Sequence, residues 1–200
     1  RVLASEQILP WAGHSAAYAV PDLYGTIKEH GTTLLFVNTR SQAEMLFQNL
    51  WAINDEALPI ALHHGSLSVE QRRKVESAMV SGVLRAVVCT STLDLGIDWG
   101  DVDLVVQVGA PKGASRMLQR IGRANHRLDD PSKAMFVPAN RFEVLECEAA
   151  LESVAEGAQD SETPLPGGLD VLAQHILGLA CADPLDEDQT FAEFFIFFFF

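Results

Sequence analysis

At 200 residues and 21.8 kDa the chain is long enough for one domain plus a fragment of a second. A fold of this size buries about 70% of the surface its unfolded chain exposes, so one core suffices without staples. Apolar residues make up 48% and charged residues 20%, which excludes an intrinsically disordered chain, and no apolar run approaches the roughly 20 residues of a membrane span.

Three cysteines, Cys89, Cys147 and Cys181, are too few and too scattered for a disulfide framework or a metal knot, and they fit a reducing cytosol. No signal peptide is read. The net charge of −13 argues against a general nucleic-acid coat protein. It is unevenly spread: residues 141–200 hold 13 acidic side chains and one basic one, Arg141, whereas residues 1–140 are nearly neutral. Six basic residues fall between Lys112 and Lys133, so a local basic track is compatible with the acidic total. The start at Arg1 and the closing run 194–200, which holds six of the 11 phenylalanines, mark the chain as a piece of a longer protein. An exposed run of that kind would be an aggregation site, and residues 194–200 are read as an artefact outside the fold.

Residues 1–20 are weakly periodic and read as a lead-in. Pro21 suits a first helical position, with the helix stopped near His30 by Gly31. Residues 33–37 (Thr-Leu-Leu-Phe-Val) form a short buried strand. Ser41 and Glu44 are spaced as a capping box for a helix to about Ile53. A strand over 59–62 follows. Ser68 and Gln71 repeat the capping box ahead of a helix to about Ser81. Strands are expected over 85–89 and 103–108, a short helix over 115–121, a strand over 134–137, and a helix capped by Asn140 and Glu143 that runs to about Val154. All-apolar strands alternating with helices predict an α/β fold, a doubly wound parallel sheet with helices on both faces, spanning residues 21–156. Residues 157–167 read as a linker, and 168–193 open a second domain with an amphipathic helix from Leu169.

In such sheets function gathers in the loops beyond the carboxyl ends of the strands. Gln119-Arg120-Ile121-Gly122-Arg123-Ala124-Asn125-His126-Arg127 puts three arginines on a helix end and the turn after it, which suits a multidentate grip on phosphate. Taken alone it also fits a solvated basic helix face. Thr90-Ser91-Thr92 followed by Gly96 and Asp98 offers donors to a phosphate and an acceptor to a sugar hydroxyl, or is an ordinary strand-to-turn cap. Asn38-Thr39-Arg40-Ser41 leads from a strand into a helix N-terminus, where anions bind, but simple capping explains it equally. His63-His64 reads as a structural pair at a strand end rather than a metal site. Cys89 and Cys147 read as small core residues.

In this order and spacing the three segments resemble motifs IV, V and VI of superfamily 2 helicases, on the second RecA-like lobe of the motor. His64-Gly65 followed by Arg72 looks like the segment between motifs IV and V. The strings D-L-G-I-D-W-G-D-V-D (94–103), G-A-P-K-G-A-S-R (109–116), Q-R-I-G-R-A-N-H-R (119–127) and V-P-A-N-R-F-E-V-L-E-C (137–147) resemble the large helicase-related (Lhr) family, in its ligase-associated DEXH-box branch. L-D-V-L-A-Q-H (169–175) is similar to the start of the winged-helix domain that follows the motor.

The resemblance implies a role for each matching position. Arg123 is the arginine finger that reaches the γ-phosphate of ATP on the opposite lobe, with Gln119 and Arg120 in support. A second finger falls at His126 or Arg127, because the expected arginine position holds His126. Gly96, Asp98 and Gly122 line the nucleotide, Asp98 at the ribose. Asn38, Thr39, Arg40, Gly65, Thr90 and Ser91 line the track for single-stranded DNA, with Thr90 on a phosphate. The implied protein is a bacterial, cytoplasmic, ATP-dependent 3′–5′ DNA helicase or translocase in DNA repair. Its cofactor is ATP with Mg2+, and its partners are its own first RecA-like lobe and, from the family branch, an ATP-dependent DNA ligase and a nuclease. Neither a G-x-x-x-x-G-K-[ST] loop nor a D-E-x-H strand end is present, so the chain carries half an ATPase site and is expected to be inactive alone. A second reading is a non-catalytic RecA-like scaffold that binds a protein partner. The two part at Arg123, for which a scaffold has no need.

Overall fold

The computed structural model describes residues 2–3, 8–93, 101–124, 132–157, 168–182 and 184–192, and the chain divides into two units, 1–160 and 161–200. The first unit is built on five parallel strands: β1 (Thr33–Phe36), β2 (Ile60–His63), β3 (Ala86–Cys89), β4 (Leu104–Val108) and β5 (Ala134–Val137), in the order β2-β3-β1-β4-β5. Five helices accompany them: α1 (Val20–Glu29), α2 (Arg40–Ala52), α3 (Val69–Val80), α4 (Ala114–Ile121) and α5 (Arg141–Ala155). This is the doubly wound α/β sheet that the alternating pattern predicts.

Strand periodicity of two sorts the core into layers. Leu35, Val88, Val106 and Val137 face one side, where Leu23 and Ile27 of α1 and Ala43, Leu46 and Leu50 of α2 cover them. Leu34, Val87, Cys89 and Val105 face the other side, against Met79 of α3, Leu93 and Ala124. On that side β5 turns Phe136 toward Met117 of α4 and Cys147 of α5. Helices α2 and α3 lie on opposite faces because the chain first steps outward from β1 to β2 and then back to β3, and right-handed crossovers reverse face when they reverse direction. From β3 the chain passes β1 and pairs β4 on its far side. That puts the switch in strand order at β1, where clefts form beyond the carboxyl ends.

Two expectations change. The box opening α2 is Thr39 with Gln42, not Ser41 with Glu44: the Thr39 hydroxyl accepts from the Gln42 amide at 3.2 Å, and the Gln42 side chain accepts from the Thr39 amide at 3.0 Å. Both spacings fit the pattern, but β1 ends at Phe36 and the chain has turned by Thr39, so the helix starts earlier. The box at Ser68 and Gln71 forms as expected. The lead-in also holds more structure than its weak periodicity predicts. Val2 bridges Phe136 beside β5, and residues 8–14 cross the lobe as a strap. Arg141 takes the carbonyls of Leu9 and Pro10, Asn140 takes that of Gly13, and Gln42 takes that of His14. The Arg141 guanidinium lies 4.3 Å from the centre of the Trp11 ring.

In the second unit α6 (Leu169–Ala182) is the main described element, and none of its side chains is buried. No helix among the described residues is long and apolar enough to cross a membrane.

Candidate functional site

The carboxyl edge of the sheet carries two groups of residues side by side. The first lies on the neighbouring ends of β2, β3 and β1. The Thr90 amide donates to the His63 carbonyl at 3.3 Å and the Val37 amide to the Cys89 carbonyl at 2.9 Å, which ties the three exits together. Thr39, Arg40, Gly65 and Ser91 are exposed along this row and Thr90 is half-buried. Each also has local work. Thr39 caps α2, Arg40 pairs with Glu44 at 2.8 Å, Ser91 opens a 3-10 turn over Ser91–Leu93, and a Cβ on Gly65 would sit 3.6 Å from Thr92. The Arg40 hydrogen bond, with the His64 ring beyond it, holds the Glu44 carboxyl below its ordinary range.

Beneath the row, His63 is buried at the end of β2. Its Nδ1 lies 2.9 Å from the Thr92 hydroxyl and its Nε2 lies 3.1 Å from Glu76 of α3. Burial pushes its pKa below the ordinary value, and Glu76 offsets part of that. His64, also buried, accepts the Ser66 amide on Nδ1 and turns Nε2 toward Glu44 at 3.4 Å. His63 thus uses both ring nitrogens locally, and among the described residues no cluster of three or more His, Cys, Asp or Glu could hold a metal.

The second group lies at the end of β4. Gly109 has φ +83, and a Cβ there would meet the Asn38 amide at 3.1 Å, so glycine makes this exit possible. Gly113, at φ +97, then opens α4. Ala114, Met117 and Arg120 form the buried face of α4, while Gln119 and Gly122 are exposed. Arg120 points into the lobe. Its guanidinium carbon stands 4.8 Å from the centre of the Phe36 ring, and its Nη1 donates to Gln107 Oε1 at 2.5 Å. Gly122 ends the helix. Arg123 follows, half-buried in the next turn, its amide donating to the Arg120 carbonyl at 3.0 Å.

Asn38 joins the two groups. It is half-buried, donates to the Ala110 carbonyl at 2.8 Å, and accepts a long bond of 3.5 Å from Gln107. Its side chain is thus engaged at the end of β4, beside the exposed row in which the resemblance places it. From the other side, Glu143 Oε2 accepts the amides of Ala110 at 3.2 Å and Ala139 at 2.8 Å. Gly96, Asp98, His126 and Arg127 lie outside the described residues.

The sequence marks Glu143 only as a cap partner, and no motif includes Gln107. The available signal for Gln107 was a lone polar residue inside the apolar strand Leu-Val-Val-Gln-Val.

A parallel five-stranded lobe with a helix-end arginine beside its switch point is the architecture of a helicase C-terminal motor lobe. Residues 16–127 match the helicase conserved C-terminal domain, and the chain belongs to that family. Within it the similarity is to the Lhr helicases of superfamily 2. The chain is 44% identical over 173 residues to the ATP-dependent helicase Lhr-Core of Methanothermobacter thermautotrophicus, covering 85% of this chain and 20% of the relative. It is 35% identical over 197 residues to the Lhr helicase/probable uracil glycosylase of Mycolicibacterium smegmatis, covering 82% of this chain and 13% of that protein. Among solved structures, the Mycobacterium smegmatis helicase Lhr bound to ssDNA and AMP-PNP superposes with a TM-score of 0.74 at 34% identity, over 96% of this chain and 26% of that one. The C-terminal domain of the DEAD-box protein Dbp5 shares the fold alone, with a TM-score of 0.59 at 20% identity over 75% and 86% of the two chains. The chain therefore spans about a fifth or less of the curated relatives cited.

Proposed function

We propose that this lobe works as the second half of an ATP-driven DNA motor, with Arg123 as the arginine finger of the composite ATPase site. The observation that carries the reading is the placement of α4: Arg120 anchors its end on Phe36 and Gln107, and Arg123 emerges in the very next turn beside the switch point. A guanidinium on that turn suits the γ-phosphate of a nucleotide held on another lobe, where it stabilises the charge of the transferring phosphoryl group. ATP and Mg2+ would be held mainly by that lobe. The exposed residues Thr39, Arg40, Gly65 and Ser91, with Thr90, give the track for single-stranded DNA, read through phosphates and not through base sequence. The bound ssDNA and AMP-PNP of the mycobacterial relative support both halves of this reading.

The finer proposals rest on the motif strings: 3′–5′ movement, a bacterial DNA-repair role, a ligase and a nuclease as partners, and residues 168–193 as the opening of a winged-helix domain. The helix α6, formed where the pattern from Leu169 places one, supports the last.

The test is DNA-stimulated ATP hydrolysis by the full-length protein beside its Arg123→Ala variant. The expected result is a kcat lowered at least about 100-fold with DNA binding retained. Unchanged hydrolysis would end the finger assignment. The isolated chain, lacking the phosphate loop, is expected to show no turnover.

A further inference from the structure

Gln107 is a buried polar residue near the carboxyl end of β4, 4% exposed, on a strand whose other side chains are all aliphatic. Such a group costs free energy unless each of its polar atoms is used. Here both ends are used. The oxygen accepts from Arg120 Nη1 at 2.5 Å. The nitrogen donates to the carbonyls of Val108 at 3.2 Å and Gly109 at 3.3 Å, and reaches Asn38 at 3.5 Å. Gln107 therefore locks the backbone at the exit of β4 with one hand and holds the arginine of α4 with the other.

Arg120 is equally buried, 4% exposed, and Phe36 receives the face of its guanidinium. A helix as short as α4 (Ala114–Ile121) has little packing to fix its rotation, and its buried face is only Ala114, Met117 and Arg120. The Arg120 anchor sets that rotation. The backbone of Arg123 leaves from the same turn, its amide bonding the Arg120 carbonyl.

We propose that Gln107 is a positioning residue for the arginine finger: it fixes Arg120, and through Arg120 the aim of Arg123, without touching nucleotide itself. The inference rests on the motor reading above. Misplacing a catalytic group by about 1 Å costs on the order of 100-fold in rate, so a polar contact one turn away has leverage on catalysis that exceeds its share of stability.

The experiment is a double-mutant cycle on the full-length protein, reading kcat and KM for ATP with saturating single-stranded DNA, and the melting temperature of each variant. Gln107→Met keeps length and removes both polar functions. Gln107→Asn keeps the amide but withdraws it by one methylene, and serves if the methionine variant does not fold. The expected result is a kcat lowered about 10-fold with KM within about 3-fold. In the Arg123→Ala background the same substitution should lower the residual kcat by less than about 2-fold, because a misaimed finger cannot be lost twice. A Gln107 variant with full kcat would overturn the inference, and so would an equal loss in both backgrounds, which marks a merely structural role. Unchanged hydrolysis by Arg123→Ala alone would overturn the motor reading, and the inference with it. An inactive Arg123→Ala beside a fully active Gln107→Asn overturns the inference only.

Discussion

The Glu143 carboxylate, in the first turn of α5, accepts the amide hydrogen of Ala110 at 3.2 Å across the end of β4. The same oxygen accepts the Ala139 amide, and the other oxygen meets His14 of the strap at 3.2 Å and Asn140 at 3.3 Å. One side chain thus closes the exits of two strands and touches the segment that crosses them.

Glu143→Ala leaves two buried amides without an acceptor. A loss of about 2–4 kcal/mol is expected, since an unmet buried donor costs about 1–3 kcal/mol. Glu143→Gln keeps a carbonyl oxygen for both amides and should lose less than half of that. Urea unfolding of the chain measures both, and equal losses in the two variants would show that charge, not acceptor geometry, matters.

The cap of α2 separates two substitutions two residues apart. Thr39→Ala should cost about 1 kcal/mol, and Ser41→Ala within about 0.5 kcal/mol of nothing, because only Thr39 accepts the Gln42 amide. The reverse order in thermal melting would restore the box that the spacing of Ser41 and Glu44 suggested.

His63 gives the lobe a pH dependence of known sign. Its pKa in the fold is lowered from 6.5 by burial, so the unfolded chain takes up a proton that the fold refuses. Its full contribution is present above the unfolded value and is lost as pH falls through about 6.5 toward the lower folded value. His63→Gln should flatten the fall in unfolding free energy between about pH 7.5 and about pH 5.5. Parallel profiles for the two chains would exclude His63 as the source.

The cysteines should react in a fixed order. Cys181 is exposed on α6, Cys89 is buried, and burial among Glu143, Glu146 and Glu148 pushes the Cys147 thiol up to about 12. A thiol reagent at neutral pH should therefore label Cys181 first and reach Cys89 and Cys147 only on unfolding, as peptide mapping would record. Early labelling of Cys147 would contradict its place in the core.

The strands were legible because each is a short apolar run, and the ends of β5 agree to the residue. Helix starts were legible where a single capping-box spacing was available, as at Ser68 with Gln71, and ambiguous where two such spacings overlapped, as at Thr39 with Gln42 and Ser41 with Glu44. The family was legible by its motif strings. Gln107 was not, since its partners are 13 residues ahead and 69 behind, and no local pattern encodes such a contact. The strap was missed for a related reason: it is held through its backbone carbonyls, which every residue has. Asn38 has a local use that no motif states, since its amide donates to the Ala110 carbonyl.

The strap bears on how the rim of the lobe comes apart. The carbonyls of Leu9, Pro10, Gly13 and His14 are held by Arg141, Asn140 and Gln42, all at the first turns of α5 and α2. Releasing residues 8–14 from the rim therefore breaks hydrogen bonds at both helix starts, whereas the ladder of β1 with β3 and β4 keeps every bond it has.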